Sequence, residues 1–358
     1  MKINIRSFIS ILLCLVLVFS LSSCKKQEEN TPSDTSSTIQ IPKDINPFTG
    51  LELDPAASNL RPVAIMINNI SVAQEVQTGV DKADIVYELY AEGGITRLLA
   101  VYKDPSKVGN IGTVRSARYS HISLAMGHDA IYVHAGANKS HAVPLMKETG
   151  LDNFNLNGGS TSKYGFRVKN GKASEHTLYT SGEKLNEGFE KLEYRRELKS
   201  DPELWQAFSD KELKLTEGEC TEVSVTMSGA SNTTFKYNAE TGRYTRYRGT
   251  TERKDYNTGK SVTFKNILVL KTTLTNTNNS KGVVLTNLVG GEGYYMVNGT
   301  YQSVKWKKGD HTDVLKVTNV DGSELEYNKG NTWVCLVDKD NNVTITPGAP
   351  KTETTSSK

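Results

Sequence analysis

The sequence predicts an α/β or α+β N-terminal domain followed by a mainly antiparallel β C-terminal domain. Between about residues 46 and 212, apolar runs of strand length interleave with segments of helical period. Beyond about residue 217 the helical period disappears. The runs there are short and β-rich, and two-residue turn signals separate several of them.

In chain order, Val63-Ala64-Ile65-Met66-Ile67 is a continuous apolar run of the kind found in a strand covered on both faces. Residues 84–91 alternate, with Ile85, Tyr87 and Leu89 on one side and Val86, Glu88 and Tyr90 on the other. Residues 95–102 give the next strand, and Gly93-Gly94 between the two can take the positive φ angles of a tight hairpin. Glu92 stands at the mouth of that hairpin with the same strand parity as Glu88. Thr113 is placed to cap a helix over 113–126, and Ala130-Ile131-Tyr132-Val133-His134 follows as a strand. Residues 140–150 read as a helix stopped by Gly150. Thr180-Ser181-Gly182-Glu183 has the form of a capping box, opening a helix that reaches Leu192. The β-rich region, 217–346, carries strands at 222–227, 233–237, 243–247, 266–271, 282–288, 294–297, 301–306, 314–317, 324–327, 332–337 and 343–346. Asn298-Gly299 and Asp321-Gly322 are hairpin signals within it, and an antiparallel sandwich or barrel-like domain is expected.

The two ends of the chain have a different character. Lys2 and Arg6 precede an apolar run over 9–19 that closes on Leu21-Ser22-Ser23-Cys24. That run is too short for a comfortable membrane span, and small residues before a cysteine admit a lipoprotein signal peptidase. Residues 1–23 are thus expected to be removed, leaving Cys24 as the lipidation site and the protein on the extracytoplasmic face of the cell membrane. Residues 24–45 lack aromatics and periodicity and read as a flexible spacer, and 347–358 as a disordered tail.

A chain of 358 residues has room for about two domains. Its formal charge of +3, without a polybasic block, does not call for a nucleic-acid partner. An exported address excludes most ATP-dependent chemistry and makes cell-wall polymers such as peptidoglycan the nearest large substrate. Of four cysteines, Cys14 leaves with the signal and Cys24 takes lipid; Cys220 and Cys335 remain, and an oxidising exterior permits a bridge between them. No cofactor is expected: Gly109-Asn110-Ile111-Gly112-Thr113 lacks the lysine of a phosphate loop, and no His or Cys spacing suits a metal.

Several long segments resemble, in order, the YerB-like lipoprotein family. They are Arg61-Pro62-Val63-Ala64-Ile65-Met66-Ile67-Asn68-Asn69, Lys82-Ala83-Asp84-Ile85-Val86-Tyr87-Glu88 and Glu92-Gly93-Gly94-Ile95-Thr96-Arg97. Val114-Arg115-Ser116-Ala117-Arg118, Asp129-Ala130-Ile131-Tyr132-Val133-His134-Ala135-Gly136 and His176-Thr177-Leu178-Tyr179-Thr180 continue the likeness. Asn266-Ile267-Leu268-Val269, Gly291-Glu292-Gly293-Tyr294 and Gly330-Asn331-Thr332-Trp333-Val334 resemble the family's separate C-terminal domain. The resemblance implies an envelope lipoprotein with paired domains of unknown function, and it implies no catalytic residues. One departure is Thr177, where the family tends to carry asparagine.

Chemistry is therefore read from the residues. Glu88 and Glu92 flank the glycine hairpin, and a carboxyl held in a partly apolar cleft among tyrosines could donate a proton to a glycosidic oxygen near neutral pH. Arg97, Arg115 and Arg118 are candidates to hold a carboxylate or phosphate; Arg115 and Arg118 lie three apart in the expected first turns of a helix. The same arginines could instead neutralise the two glutamates. His134, at a strand end, and His176, before Leu178, are candidates for orienting a ligand or moving a proton. In the second region Tyr244, Tyr247, Tyr294, Tyr295, Tyr301, Trp306 and Trp333 can stack on sugars or fill a β-core, while Arg243, Arg246 and Arg248 read as a solvated strand face.

The reading is an exported, membrane-anchored lipoprotein that cleaves peptidoglycan glycan strands by carboxylate acid/base chemistry. The alternative is a non-catalytic lipoprotein that binds wall polymer or a partner protein with the same cluster. Capture of solutes for a transporter is weaker, because two lobes of similar α/β pattern are not seen. What separates enzyme from binding module is whether a carboxylate stands free in a cleft or is fully paired. The address has its own test: Cys24→Ala leaves an unprocessed precursor that takes up no lipid label, and normal labelling of that variant would overturn the assignment.

Overall fold

Strand β1, Val63–Asn68, is buried at every position, as its unbroken apolar run requires of a strand covered on both faces. The computed structural model in which it lies describes Pro42 and residues 44–200, 204–229, 231–278 and 282–348. The expectations for the signal segment, Cys24, nearly all of the spacer and the tail beyond Gly348 fall outside the described residues.

β2, Ile85–Glu92, and β3, Ile95–Tyr102, form the expected hairpin through Gly93 and Gly94, which take φ of +55° and +76°. β3 pairs antiparallel with β1, from Val63 opposite Tyr102 to Asn68 opposite Arg97. Helix α1, Tyr119–Gly127, leads into β4, Ile131–His134, which lies parallel to β1. Helix α2, Ala142–Thr149, ends at Gly150 with φ +61° and leads into β5, Asn153–Asn155, parallel to β4. Helix α3, Gly182–Leu192, opens at Ser181, whose Oγ accepts the Lys184 N–H at 3.2 Å.

Strands dominate from there on. They include β6 (Glu222–Ser228), β7 (Ser231–Asn238), β8 (Arg243–Arg248), β9 (Asn266–Thr272), β10 (Val284–Thr286), β11 (Gly290–Val297), β12 (Thr300–Lys307), β13 (Thr332–Asp338) and β14 (Val343–Thr346). Asn298 and Gly299, both at positive φ, join β11 to β12. The N-terminal region thus mixes helices and strands, and the C-terminal region is almost entirely antiparallel β.

The two regions meet in one sheet. Among the described residues its order is Gly218–Glu219, β12, β11, β9, β13, β2, β3, β1, β4, β5, with Lys316–Asn319 paired to β12. β13 lies parallel to β2 from Ile85 opposite Thr332 to Glu88 opposite Cys335, and parallel to β9 on its other side. A second sheet of Thr251–Glu252, β8, β7, β6 and β14 packs over the first. The core between them holds Val86, Leu98, Phe235, Tyr244, Phe264 and Trp333. The opposite face of the main sheet is covered by α1 and α2 and by Trp205, with Ile122, Leu124, Leu145, Leu268 and Trp306 in that core.

Three readings of the sequence need correction. Residues 113–117 are extended rather than helical, and α1 begins only at Tyr119 with Arg118 as its N-cap. Their backbone groups are taken by β1 and by the segment that follows β4: Arg115 N–H donates to Met66 O and Ala117 N–H to Gly136 O, both at 2.9 Å, which outweighs local helix preference. Arg246 is not solvated but buried, its guanidinium 4.5 Å from the Trp333 ring centroid and within 2.9 Å of Asn69 Oδ1. Tyr244, Tyr295, Trp306 and Trp333 are likewise interior, so they fill cores. Cys220 and Cys335 are separate buried thiols, and burial pushes the Cys220 thiol up to about 12.

Trp333 lies where the two sheets and both sequence regions meet, edge-on to Phe235 and Phe264. Trp333→Ala should lower the unfolding free energy by about 3–5 kcal/mol in urea denaturation. A loss below about 1 kcal/mol would show that this junction does not hold the sheets together.

Candidate functional site

β3 runs antiparallel to both β1 and β2, and β4 and β5 follow β1, so β2, β1, β4 and β5 all point the same way. Their carboxyl ends bring Glu92, Asn68, His134 and Asn155 to one edge. In open sheets with parallel strands this is the edge where ligands bind, because loops leave it with free backbone groups. Here the extended segment 113–117 wedges between the diverging ends of β1 and β4. Asn68 N–H donates to Thr113 O at 2.8 Å and Ala135 N–H to Arg115 O at 2.9 Å. That insertion carries Arg115, Ser116 and Arg118 onto the edge.

Glu92 and Glu88 share parity in the sequence but not a face in the fold. The pairing of β2 with β3 shifts register between Tyr90 and Glu92, and a one-residue slip turns a side chain to the other face. Glu92 accepts from Arg97 Nη2 at 2.6 Å and also from Arg118 through both Nε and Nη2. Arg97 additionally donates to Ser116 O at 3.3 Å, and Arg118 to Ala117 O at 2.8 Å. One carboxylate therefore fixes two guanidinium planes. Burial by itself raises the Glu92 carboxyl pKa, but the Arg118 hydrogen bonds and the charges of Arg97 and Arg118 outweigh it and hold the group below its ordinary 4.5. Burial, with repulsion from Arg118, lowers Arg97 to about 10, so it stays charged at neutral pH.

Arg115 pairs more loosely. Its Nη2 lies 3.3 Å from Glu175 Oε2, with Arg115 23% and Glu175 55% exposed. Glu175 also meets His176 Nε2 at 3.2 Å, and His176 Nδ1 lies 2.9 Å from Asn68 Nδ2. Burial, joined by the charges of Arg115 and Lys172, lowers the His176 pKa against the opposing pull of Glu175. Three guanidinium groups, those of Arg97, Arg115 and Arg118, thus face two carboxylates. His134 is buried, its ring nitrogens 2.7 Å from Gly136 O and 3.0 Å from Asn153 Oδ1, and burial lowers its pKa.

Glu88 lies on the far side of the sheet with no exposed surface. It accepts from Asn69 Nδ2 at 2.8 Å, Thr96 Oγ1 at 3.0 Å and Thr233 Oγ1 at 2.9 Å, and belongs to the interface between the two sheets. The structure therefore joins Glu92, Arg97 and Arg118 directly, links Arg115 to His176 through Glu175, and separates Glu88. Reading the sequence missed Asn68, Asn69 and Glu175. The asparagines carried a signal, being polar residues at the end of a fully apolar strand; Glu175 carried none apart from its place next to His176. Among the described residues no group of three or more His, Cys, Asp or Glu side chains could hold a metal ion.

An open-edged sheet with an arginine-rich, carboxylate-braced carboxyl edge and a β-sandwich second half defines the class. The N-terminal domain of DUF3048, a protein of unknown function, matches residues 48–195, and the DUF3048 C-terminal domain matches 223–334. The chain belongs to this family. Among its relatives is YerB of Bacillus subtilis (strain 168), named as a lipoprotein. It is 30% identical over 331 residues, 91% of this chain and 93% of YerB. The crystal structure of the YerB protein from Bacillus subtilis matches with a TM-score of 0.71 at 28% identity, over 84% of this chain and 99% of that one.

The Glu92 shift makes the stability pH-dependent. A carboxyl lowered on folding contributes fully above its unfolded value and loses that contribution as pH falls through 4.5 toward the folded value. Glu92→Gln should therefore flatten the fall in unfolding free energy between about pH 5 and pH 3, measured by urea denaturation at stepped pH. An unchanged acid limb would mean the carboxylate is not held by the two arginines.

Proposed function

We propose that this chain is an envelope lipoprotein, anchored through Cys24 on the extracytoplasmic face of the membrane, that binds an anionic cell-wall polymer without cleaving it. The observation that carries this is the excess of guanidinium over carboxylate on the carboxyl edge, with the outermost pair open to solvent. Glu92 orients Arg97 and Arg118 rigidly, while Arg115 holds only an exposed partner. Such an exposed pair is weakly held, so a carboxylate or phosphate on a polymer can replace Glu175 at Arg115. The anchor is supported by the Leu21-Ser22-Ser23-Cys24 signal and by the name of the relative YerB.

Glycan cleavage fits the geometry less well. A general acid must hold a proton near neutral pH, and Glu92 is braced by two arginines and kept ionised well below that range. Glu88 is enclosed by hydrogen-bond donors on the other face.

The test is a sedimentation assay of the full-length chain with intact peptidoglycan bearing its phosphate polymers, with mass analysis of the supernatant. Binding that weakens with salt and no released fragments are expected. Arg115→Ala should weaken it about tenfold, the worth of one charge-assisted contact. Fragment release between pH 4 and 8 that Glu92→Gln abolishes would restore the enzyme reading.

A further inference from the structure

Next to the clamp lies a cavity of about 320 Å³ between the start of α1 and the segment around β10. Its lining includes Tyr119, Thr286, Asn287, Leu288, Asp310 and His311. The volume lies at the low end for small-molecule sites, enough for a ligand the size of one substituted ring.

The wall is fixed in advance. Ser120 Oγ accepts the Thr286 N–H at 3.0 Å and donates to Thr286 O at 3.2 Å, tying the first turn of α1 to β10. Tyr119 stands edge-on to His311, ring centroids 5.4 Å apart, with its hydroxyl 3.3 Å from His311 Nε2. Thr286 is only 5% exposed, and its Oγ1 has no hydrogen-bond partner among the described residues. A buried hydroxyl left in that state costs free energy until a polar group meets it.

The chemistry of the lining is that of a neutral, amphipathic ligand. It offers an aromatic ring, an aliphatic side chain at Leu288, hydroxyl and amide groups and one carboxylate, and it contains neither arginine nor lysine. An aromatic ring with hydrogen-bonding groups around it suits a ligand with an apolar face and a polar rim, which is the surface of a sugar ring.

The cavity and the clamp are connected through two chain segments. Arg118, which braces Glu92, is followed directly by Tyr119. Glu92 itself forms a bridge with Val283, at the entry to β10. We infer that the cavity is a subsite for an uncharged N-acetylated sugar ring, placed so that an acidic group on the adjoining unit of the same chain reaches Arg115 and Arg118. This rests on the polymer-binding reading above and names its ligand as an amino-sugar glycan carrying acidic groups.

Ligand-observed saturation-transfer NMR on the full-length chain in detergent micelles tests it, with N,N′-diacetylchitobiose as the uncharged probe. The probe should bind, and its affinity should not change between low and high salt, unlike that of the wall polymer. Tyr119→Ala, which removes the ring, and Leu288→Trp, which fills the space, should each weaken the probe at least tenfold while circular dichroism and the urea midpoint stay unchanged. Thr286→Val, close in shape, should weaken it by a smaller factor. If the probe fails to bind, or binds both larger-effect variants as well as the parent, the subsite is overturned, and salt-sensitive polymer binding through Arg115 still stands. If the probe binds in a Tyr119-dependent way but the polymer ignores Arg115→Ala, the sugar subsite holds and the clamp reading fails.

Discussion

The structure depends on one strand pairing. β13 enters between β2 and β9, and its parallel register with β2 joins residues about 250 positions apart in the chain. Without it the N-terminal sheet would end at β2 with an open, apolar edge, and the C-terminal sheet would lose the strand that carries Trp333, Val334 and Leu336 into two separate cores. The two family regions are distinct as stretches of sequence, yet they are neighbours in a single sheet. Such long-range pairing requires most of the chain before it can form, which favours slow, cooperative assembly.

That junction also explains the buried polar network. Glu88 on β2 and Arg246 on β8 face one another's sheets, and Asn69 serves both, donating to the carboxylate and accepting from the guanidinium. Charges taken this far from water need partners, and each has them. Burial lowers Arg246 to about 10, partly offset by the nearby Glu88 charge. The residue next in line, Asn68, meets His176, so the inter-sheet network and the carboxyl edge of the sheet are continuous through two adjacent asparagines. Glu88 thereby braces the packing of the two sheets.

The bulge at the end of β2 is a small feature with a large effect on the charged edge. It moves Glu92 from the inter-sheet side to the side of Arg97 and Arg118, and so creates the braced pair of guanidinium groups. A carboxylate used in this way orients cations and is a poor proton donor. That arrangement supports the proposed recognition of an anionic polymer, and the cavity beside α1 supports the proposed subsite for an uncharged ring.

The sequence by itself determined the secondary elements that local physics controls. The apolar run at β1, the Gly93-Gly94 hairpin, the Ser181 cap and the Gly150 stop all follow from side-chain period and permitted φ angles, which neighbours in the chain suffice to define. It also named Arg97, Arg115, Arg118 and Glu92 as candidate charged residues, without showing that they meet. Only the tertiary structure decided what depended on partners distant in the chain. Residues 113–117 are extended because β1 and the segment after β4 claim their backbone groups. Arg246 is interior because Trp333 and Asn69 receive it. Glu88 and Glu92 part company because a bulge, invisible in the alternation of residue types, shifts the register by one. Periodicity encodes which side chains share a face of one element, and it carries no record of which other element will cover that face.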